Sequence, residues 1–118
     1  MADLPVIDPQ AIDNLRALNP DDGDEFLREI IAIYLEDTPQ RMTELEQGLA
    51  STDVPKFTRA AHSIKGSSAN VGAVNVRAIA EQLEHHSAKQ GLDGVAPLMA
   101  TLKTEFARAQ AEFAKLLP

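Results

Sequence analysis

The spacing of the apolar residues constrains the fold of this chain more than any other feature of its sequence. Along almost the whole chain these residues recur at helical intervals. No segment alternates apolar and polar residues as a half-buried β-strand does. The sequence therefore predicts an all-α protein. The clearest helical series lies near the carboxyl end and comprises Val95, Leu98, Met99, Leu102, Phe106, Ala109, Phe113 and Leu116.

Start and stop signals divide this pattern into five predicted helices. Asp8 before Pro9 is typical of a helix start, Asp53 is expected to cap the third helix, and Gly91 is typical of a helix end. Proline is disfavoured inside a helix, so we expect a kink or a restart at Pro39. The predicted helices cover about residues 8–18, 22–51, 54–70, 73–90 and 94–116, and the first presents Ala11, Leu15 and Leu18 on its apolar face.

The lengths of these helices and of the loops between them predict the architecture. Long amphipathic helices joined by short loops pack as antiparallel bundles. We therefore expect an antiparallel four-helix bundle over about residues 22–117, with an additional short amino-terminal helix at about 8–18. A length of 118 residues suits one domain, which we expect to span residues 1–118.

Composition and charge exclude several classes of function. The chain has no cysteine, which excludes disulfides, thiol catalysis and cysteine-based zinc sites. Its net charge of −7 argues against nucleic-acid and anionic-membrane partners, which select clustered Lys and Arg. The longest apolar stretch, Ile30 to Leu35, is far shorter than a membrane span, and the amino-terminal residues do not resemble a signal peptide. We expect a cytoplasmic protein.

The run from His62 to Gly72 contains mostly poor helix formers inside a predicted helix. Gly66 and its polar neighbours cost roughly 2 kcal/mol relative to good helix formers, which indicates a role other than stability. At about 100° per residue, the apolar side of this helix points away from His62. The alternative is that Gly66 permits close helix packing and Lys65 is only solvated. The residues on the same side as His62 are Thr58, Arg59, Lys65, Gly66 and Ala69.

The segment from Ala60 to Ala73 resembles the signature of the histidine phosphotransfer (HPt) family, which is His-x-x-Lys-Gly, then small residues, then Gly-Ala. A looser similarity covers Phe26 to Pro39, the turn at Asp53, and Gln82 to Glu84. This resemblance implies a four-helix bundle with an extra amino-terminal helix, in agreement with the periodicity.

The resemblance also implies roles for individual residues. His62 would accept a phosphoryl group through Nε2, Lys65 would neutralise the phosphoryl oxygens, and Gly66 would leave room for the incoming partner. Members of the family often carry a glutamine on the next helix that hydrogen-bonds the other imidazole nitrogen. Glu84 stands at that position here, with Gln82 as the alternative, and a glutamate would orient the ring but repel a nearby phosphoryl group.

The implied reaction is reversible phosphoryl transfer between His62 and an aspartate of a response-regulator receiver domain, in a relay that begins at a hybrid sensor histidine kinase. The chain has no nucleotide-binding signature and no carboxylate cluster beside His62. We therefore expect a phosphate carrier rather than an enzyme, without a bound cofactor, and with Mg²⁺ supplied by the receiver. We also expect a monomer, and a free-standing protein rather than an excised module.

The docking surface for a receiver is expected around His62, with Thr58, Arg59 and Ala69 as flanking residues. An apolar patch on the second helix is a further candidate, although the same residues are equally suited to the core. They are Ile30, Ile33 and Tyr34.

Two other classes of function are alternatives to phosphoryl transfer. A metal-binding bundle would use Glu81, His85 and His86, but the paired Glu-x-x-His motifs of ferritin-like sites are absent. A non-catalytic helical adaptor that binds a signalling partner would keep the fold without needing His62 or Lys65.

Overall fold

Five α-helices make up nearly all of residues 6–116, which are the residues described by the computed structural model of this protein. They are α1 (Pro9–Leu18), α2 (Glu25–Ala50), α3 (Val54–Val71), α4 (Val74–Gln90) and α5 (Val95–Ala114). The all-α prediction is therefore confirmed, and the boundaries differ from the expected ones by only a few residues. Residue 117, where the bundle was expected to end, lies outside the described residues.

The predicted caps form as local sequence chemistry requires. The Asp8 carboxylate accepts a hydrogen bond from the backbone N–H of Gln10 at 3.0 Å, and Pro9 occupies the first turn of α1. The Asp53 carboxylate accepts from the backbone N–H of Lys56 at 3.1 Å. Each cap satisfies a backbone N–H that the first turn of a helix leaves without a partner.

The bundle is assembled from consecutive helices: α2 packs on α3, α3 on α4, and α4 on α5, while α1 rests on α2 and α3. Aromatic contacts join α2 to α5, because the Tyr34 ring meets Phe106 and Phe113 edge-on at centroid distances of 5.9 and 5.7 Å. Aliphatic and aromatic side chains from all four long helices fill the core between them. Among the largest fully buried ones are Leu27, Ile31, Leu45, Phe57, Ile64, Leu83, Leu102 and Phe113.

The turn between α3 and α4 holds the amino-terminal segment against the bundle. The backbone N–H of Asp8 donates to the carbonyl oxygen of Gly72 at 2.8 Å, and Ile7 forms an isolated β-bridge with Ala73. Gly72 has φ of +78°, and a Cβ atom there would lie 2.7 Å from the Cβ of Ala11. Only glycine fits this turn, because it combines left-handed backbone with close approach to α1.

Two local features differ from what the sequence predicts. Of the kink or restart expected at Pro39, the restart does not occur, because α2 is one continuous helix from Glu25 to Ala50. Burial of apolar side chains on both sides of Pro39, from Ile31 to Leu45, outweighs the cost of about 3 kcal/mol for an internal proline. In α1 the expected apolar residue Leu18 is 70% exposed, and Ile12 is buried in its place.

Candidate functional site

His62 lies on the outer face of α3, and its side chain is 66% exposed. The opposite face of the same helix supplies the core with the buried residues Phe57, Ala60, Ile64 and Val71. The helical angles calculated from the sequence therefore predict the exposed and buried faces of α3 correctly. An exposed imidazole on this five-turn helix is accessible to a large partner.

Glu84 of α4 fixes the orientation of the His62 ring. Its Oε2 atom lies 2.7 Å from His62 Nδ1. An ionised carboxylate can only accept hydrogen bonds, so the shared proton resides on Nδ1 and the neutral ring keeps its lone pair on Nε2. The nitrogen that faces solvent is thus the nucleophilic one.

The same carboxylate also pairs with Lys65, whose Nζ lies 2.6 Å from Glu84 Oε1. Within the described residues, Oε1 has no hydrogen-bond partner of favourable geometry, so this contact is a close ion pair. Burial acts to raise the pKa of Glu84, but Lys65 and His62 outweigh it, and the pKa of the carboxyl group is lowered from its usual value. Glu84 is therefore ionised at neutral pH and bridges the two basic groups.

Small residues form the surface next to the His62 ring on one side. Gly66 is exposed, and a Cβ atom placed on it would meet no other atom within 4 Å. Close packing between helices therefore does not explain this glycine. Ala69, one turn further on, is also exposed. Small residues on this side of His62 leave space for another molecule to approach the imidazole.

Two other residues that were expected near His62 do not lie on the exposed surface around its ring. Gln82 is exposed and lies on a different face of α4, where it lines a groove with Glu81 and His85. Thr58 is only part-exposed, and its hydroxyl contacts the hydroxyl of Ser87 at 2.7 Å. This inward orientation does not favour the docking role expected for Thr58.

Arg59 is exposed and faces a groove between α2 and α3, beside Ser63. This groove has a volume of about 370 Å³ and is also lined by Arg41 and Lys56. Arg41 and Lys56 carry no signal of this groove in the sequence, because they come close to Arg59 only when α2 packs against α3.

The apolar patch considered on α2 divides between surface and core. Ile33 is 61% exposed and Ile30 is half-buried, whereas Tyr34 is only 3% exposed and belongs to the core. For the metal-binding alternative, residues 6–116 contain no group of three or more side chains arranged to hold a metal ion. No helix in that range is long and apolar enough to cross a membrane.

Residues 29–112 match the family model described as the Hpt domain. The chain belongs to the Hpt domain family. The expected family and the helical-bundle fold are thus confirmed.

Two curated relatives of this Hpt domain come from distant organisms. Multistep phosphorelay regulator 1 of Schizosaccharomyces pombe is 30% identical over 96 residues, which cover 81% of this chain and 32% of that protein. The Hpt domain thus spans about a third of the length of this relative. Histidine-containing phosphotransfer protein 1 of Oryza sativa subsp. japonica is 26% identical over 105 residues, covering 87% of this chain and 71% of the rice protein.

Solved structures show the same fold. Histidine-containing phosphotransfer protein B of Pseudomonas aeruginosa PAO1 superposes with a TM-score of 0.83 at 28% identity, covering 96% of this Hpt domain and 95% of that chain. A histidine-containing phosphotransfer protein from maize also gives a TM-score of 0.83, at 27% identity, covering 95% of this chain and 83% of that one.

Proposed function

We propose that His62 is the phosphoacceptor of this Hpt domain and that it exchanges a phosphoryl group with an aspartate on a receiver domain. The observation that carries the proposal is the contact between His62 Nδ1 and Glu84, which leaves Nε2 exposed and nucleophilic. The family signature around His62 supports the same assignment.

In the accepting direction, the lone pair of Nε2 attacks the phosphorus of an aspartyl phosphate. The bond between phosphorus and the aspartyl oxygen breaks, and its electron pair leaves with the carboxylate. The ring becomes positively charged while its Nδ1–H remains bonded to Glu84, which offsets that charge. In the donating direction an oxygen of the receiver's aspartate attacks the phosphorus, the bond from Nε2 to phosphorus breaks, and the ring leaves as a neutral imidazole. Such transfers depend mainly on alignment and charge stabilisation.

Lys65 and Gly66 prepare the surface for this exchange. Lys65 is three residues from His62 on the same helix, so its ammonium group can turn from Glu84 toward phosphoryl oxygens on Nε2. Gly66 leaves open the space through which the receiver approaches.

The remaining components of the reaction are assigned to the partner. The carboxylate nearest to the ring is Glu84, and both of its oxygens are already engaged. We place the divalent cation, Mg²⁺, and the acidic pocket that binds it in the receiver domain. The Hpt domain then acts as a stoichiometric carrier between a hybrid sensor kinase and a response regulator, with Arg59 and Ala69 on its docking surface.

A transfer assay with a labelled phospho-receiver tests the assignment of His62. His62→Gln is expected to abolish labelling of the Hpt domain while its helical content stays unchanged. His85→Gln, which alters an exposed histidine on α4, is the matched control and should be labelled like the wild type. Full labelling of His62→Gln would contradict the proposal, and binding of the receiver without any labelling of the wild type would favour the adaptor function.

A further inference from the structure

Two hydroxyl groups connect α3 to α4 close to His62. Thr58 Oγ1 and Ser87 Oγ are 2.7 Å apart, and Ser87 Oγ also donates to the backbone carbonyl oxygen of Glu84 at 3.2 Å. Ser87 has a single hydroxyl proton, so both bonds form together when Thr58 donates to Ser87. Ser87 is only 1% exposed, and a polar group in a helix interface is retained at this depth only when it is hydrogen-bonded.

This pair lies on the same seam between helices as the site. Thr58 precedes His62 on α3, and Ser87 follows Glu84 on α4, each by about one helical turn. Since α3 and α4 run antiparallel, the hydroxyl pair and the His62–Glu84 pair are successive contacts along one line. A displacement of α4 along or around its axis that breaks one contact also moves the other.

The contact between Glu84 and His62 is sensitive to such a displacement. A hydrogen bond weakens steeply when its donor and acceptor move beyond about 3.2 Å. His62 is exposed, so the surrounding core does not hold its ring in place. Ser87 instead links this turn of α4 to α3, because its hydroxyl binds the carbonyl oxygen of Glu84 and contacts Thr58.

We propose that Thr58 and Ser87 are positioning residues for the phosphoacceptor: their hydroxyl pair sets the register of α3 and α4 that keeps Glu84 on His62 Nδ1. They do not touch the phosphoryl group and act through Glu84. This inference rests on the proposed role of His62.

Two substitutions at Thr58 distinguish the effect of its hydroxyl group from the effect of its side-chain shape. Thr58→Val keeps the shape and removes the hydroxyl, whereas Thr58→Ser keeps the hydroxyl. The loss of one hydrogen bond predicts that Thr58→Val lowers the rate constant of a single phosphoryl transfer at saturating receiver, written kcat here, by roughly two- to ten-fold. The receiver concentration that gives half of the maximal rate, written KM, should stay unchanged. Thr58→Ser should retain wild-type kcat, and Ser87→Ala should match Thr58→Val.

The buried contact between Tyr34 and Ser68 provides a matched control. It also joins two hydroxyl groups across a helix interface, at 2.8 Å, but between α2 and α3. Tyr34→Phe removes that bond and should lower the free energy of unfolding without changing kcat. Nitrogen NMR of the His62 ring should show the proton localised on Nδ1 in the wild type and in Tyr34→Phe, and shared between both ring nitrogens in Thr58→Val.

The measurements distinguish failure of the positioning inference from failure of the proposed function of His62. If Thr58→Val loses stability like Tyr34→Phe but keeps the wild-type kcat and the wild-type tautomer, the hydroxyl pair is only structural and the inference is overturned. Failure of the wild type to accept phosphate on His62 would instead overturn the proposed function. The NMR measurement needs no transfer, so it tests the positioning of His62 separately.

Discussion

At the scale of single residues, Glu84 has two opposing effects on the phosphoryl group that we propose His62 accepts. Its two carboxylate oxygens lie 2.6 Å from Lys65 Nζ and 2.7 Å from His62 Nδ1. It orients the ring for attack, but it also places a negative charge beside the future phosphohistidine and occupies the cation that would neutralise it. Phosphorylation therefore requires Lys65 to exchange one anionic partner for another.

Replacing Glu84 by glutamine isolates the effect of this charge. Glu84→Gln keeps an oxygen that accepts from Nδ1–H, removes the repulsion and releases Lys65. We expect the equilibrium between the phospho-receiver and the phosphorylated Hpt domain to shift toward the latter by roughly three-fold or more, as estimated for one partly screened charge at this range. The partition of labelled phosphate at equilibrium measures the shift.

Glu81→Gln is the control for that experiment, because it removes the same charge one turn earlier on α4, outside the contacts of His62. Its equilibrium should equal that of the wild type. Equal partition in Glu84→Gln and the wild type would show that the carboxylate has no effect on the stability of phosphohistidine.

The residues of the site differ in how far the sequence reveals them. The relation of Lys65 and Gly66 to His62 follows from helical spacing alone, and the wider resemblance to the family pointed to Glu84. Ser87 carried no such signal, since a serine inside a helix is ordinary until its tertiary partner is known. Thr58 was placed on the correct face, but the angle cannot show that its hydroxyl turns toward α4.

At the scale of elements, one buried phenol joins three helices. Tyr34 of α2 bonds Ser68 of α3 through its hydroxyl and packs edge-on against two phenylalanines of α5. Burial raises the pKa of Tyr34 to about 12, although the side chains of Ser68 and Thr38 oppose the shift. The protonated phenol is therefore part of the folded structure.

This pKa predicts a loss of stability in alkali. Because an unfolded tyrosine ionises near pH 10 and the folded one near 12, the folded state binds more protons in that interval, and stability falls as the pH rises through it. The loss attributable to Tyr34 reaches about 3 kcal/mol at most, and it should be absent in Tyr34→Phe. Denaturant unfolding of both proteins between pH 9 and about 12 measures it.

Tyr34 is the only tyrosine of the chain, so phenolate absorbance reports its ionisation directly. A midpoint near pH 10 in the folded protein would contradict the expected shift, as would parallel stability curves for the wild type and Tyr34→Phe.

The elements themselves were largely predictable because their signals are local. Asp8 and Asp53 cap helices through contacts two or three residues away, which a sequence displays directly. The continuity of α2 through Pro39 and the exposure of Leu18 were not predictable in this way. Both depend on which surfaces the other helices cover, and burial then overrides the local preference.

At the scale of the whole molecule, the charge around the site differs in sign from the net charge. The chain carries −7, yet the charged residues that line the groove between α2 and α3 beside Ser63 are three basic ones and one acid: Arg41, Lys56, Arg59 and Glu44. Arg41 is paired with Asp37 and Glu44. No ion pair among the described residues involves Lys56 or Arg59, so their charges are available to an acidic partner such as the receiver pocket proposed above.

Arg59→Glu tests whether this local charge guides docking. The substitution is expected to lower the second-order rate of phosphoryl transfer by roughly ten-fold at low ionic strength, because steering by opposite charges accelerates association. Lys103→Glu on α5, where the lysine is 61% exposed, changes the net charge equally and should have a much smaller effect. The two rates should converge as salt shortens the range of the interaction to a few ångströms. Equal rates for the two variants at low salt would mean that only net charge matters and that the groove is not part of the docking surface.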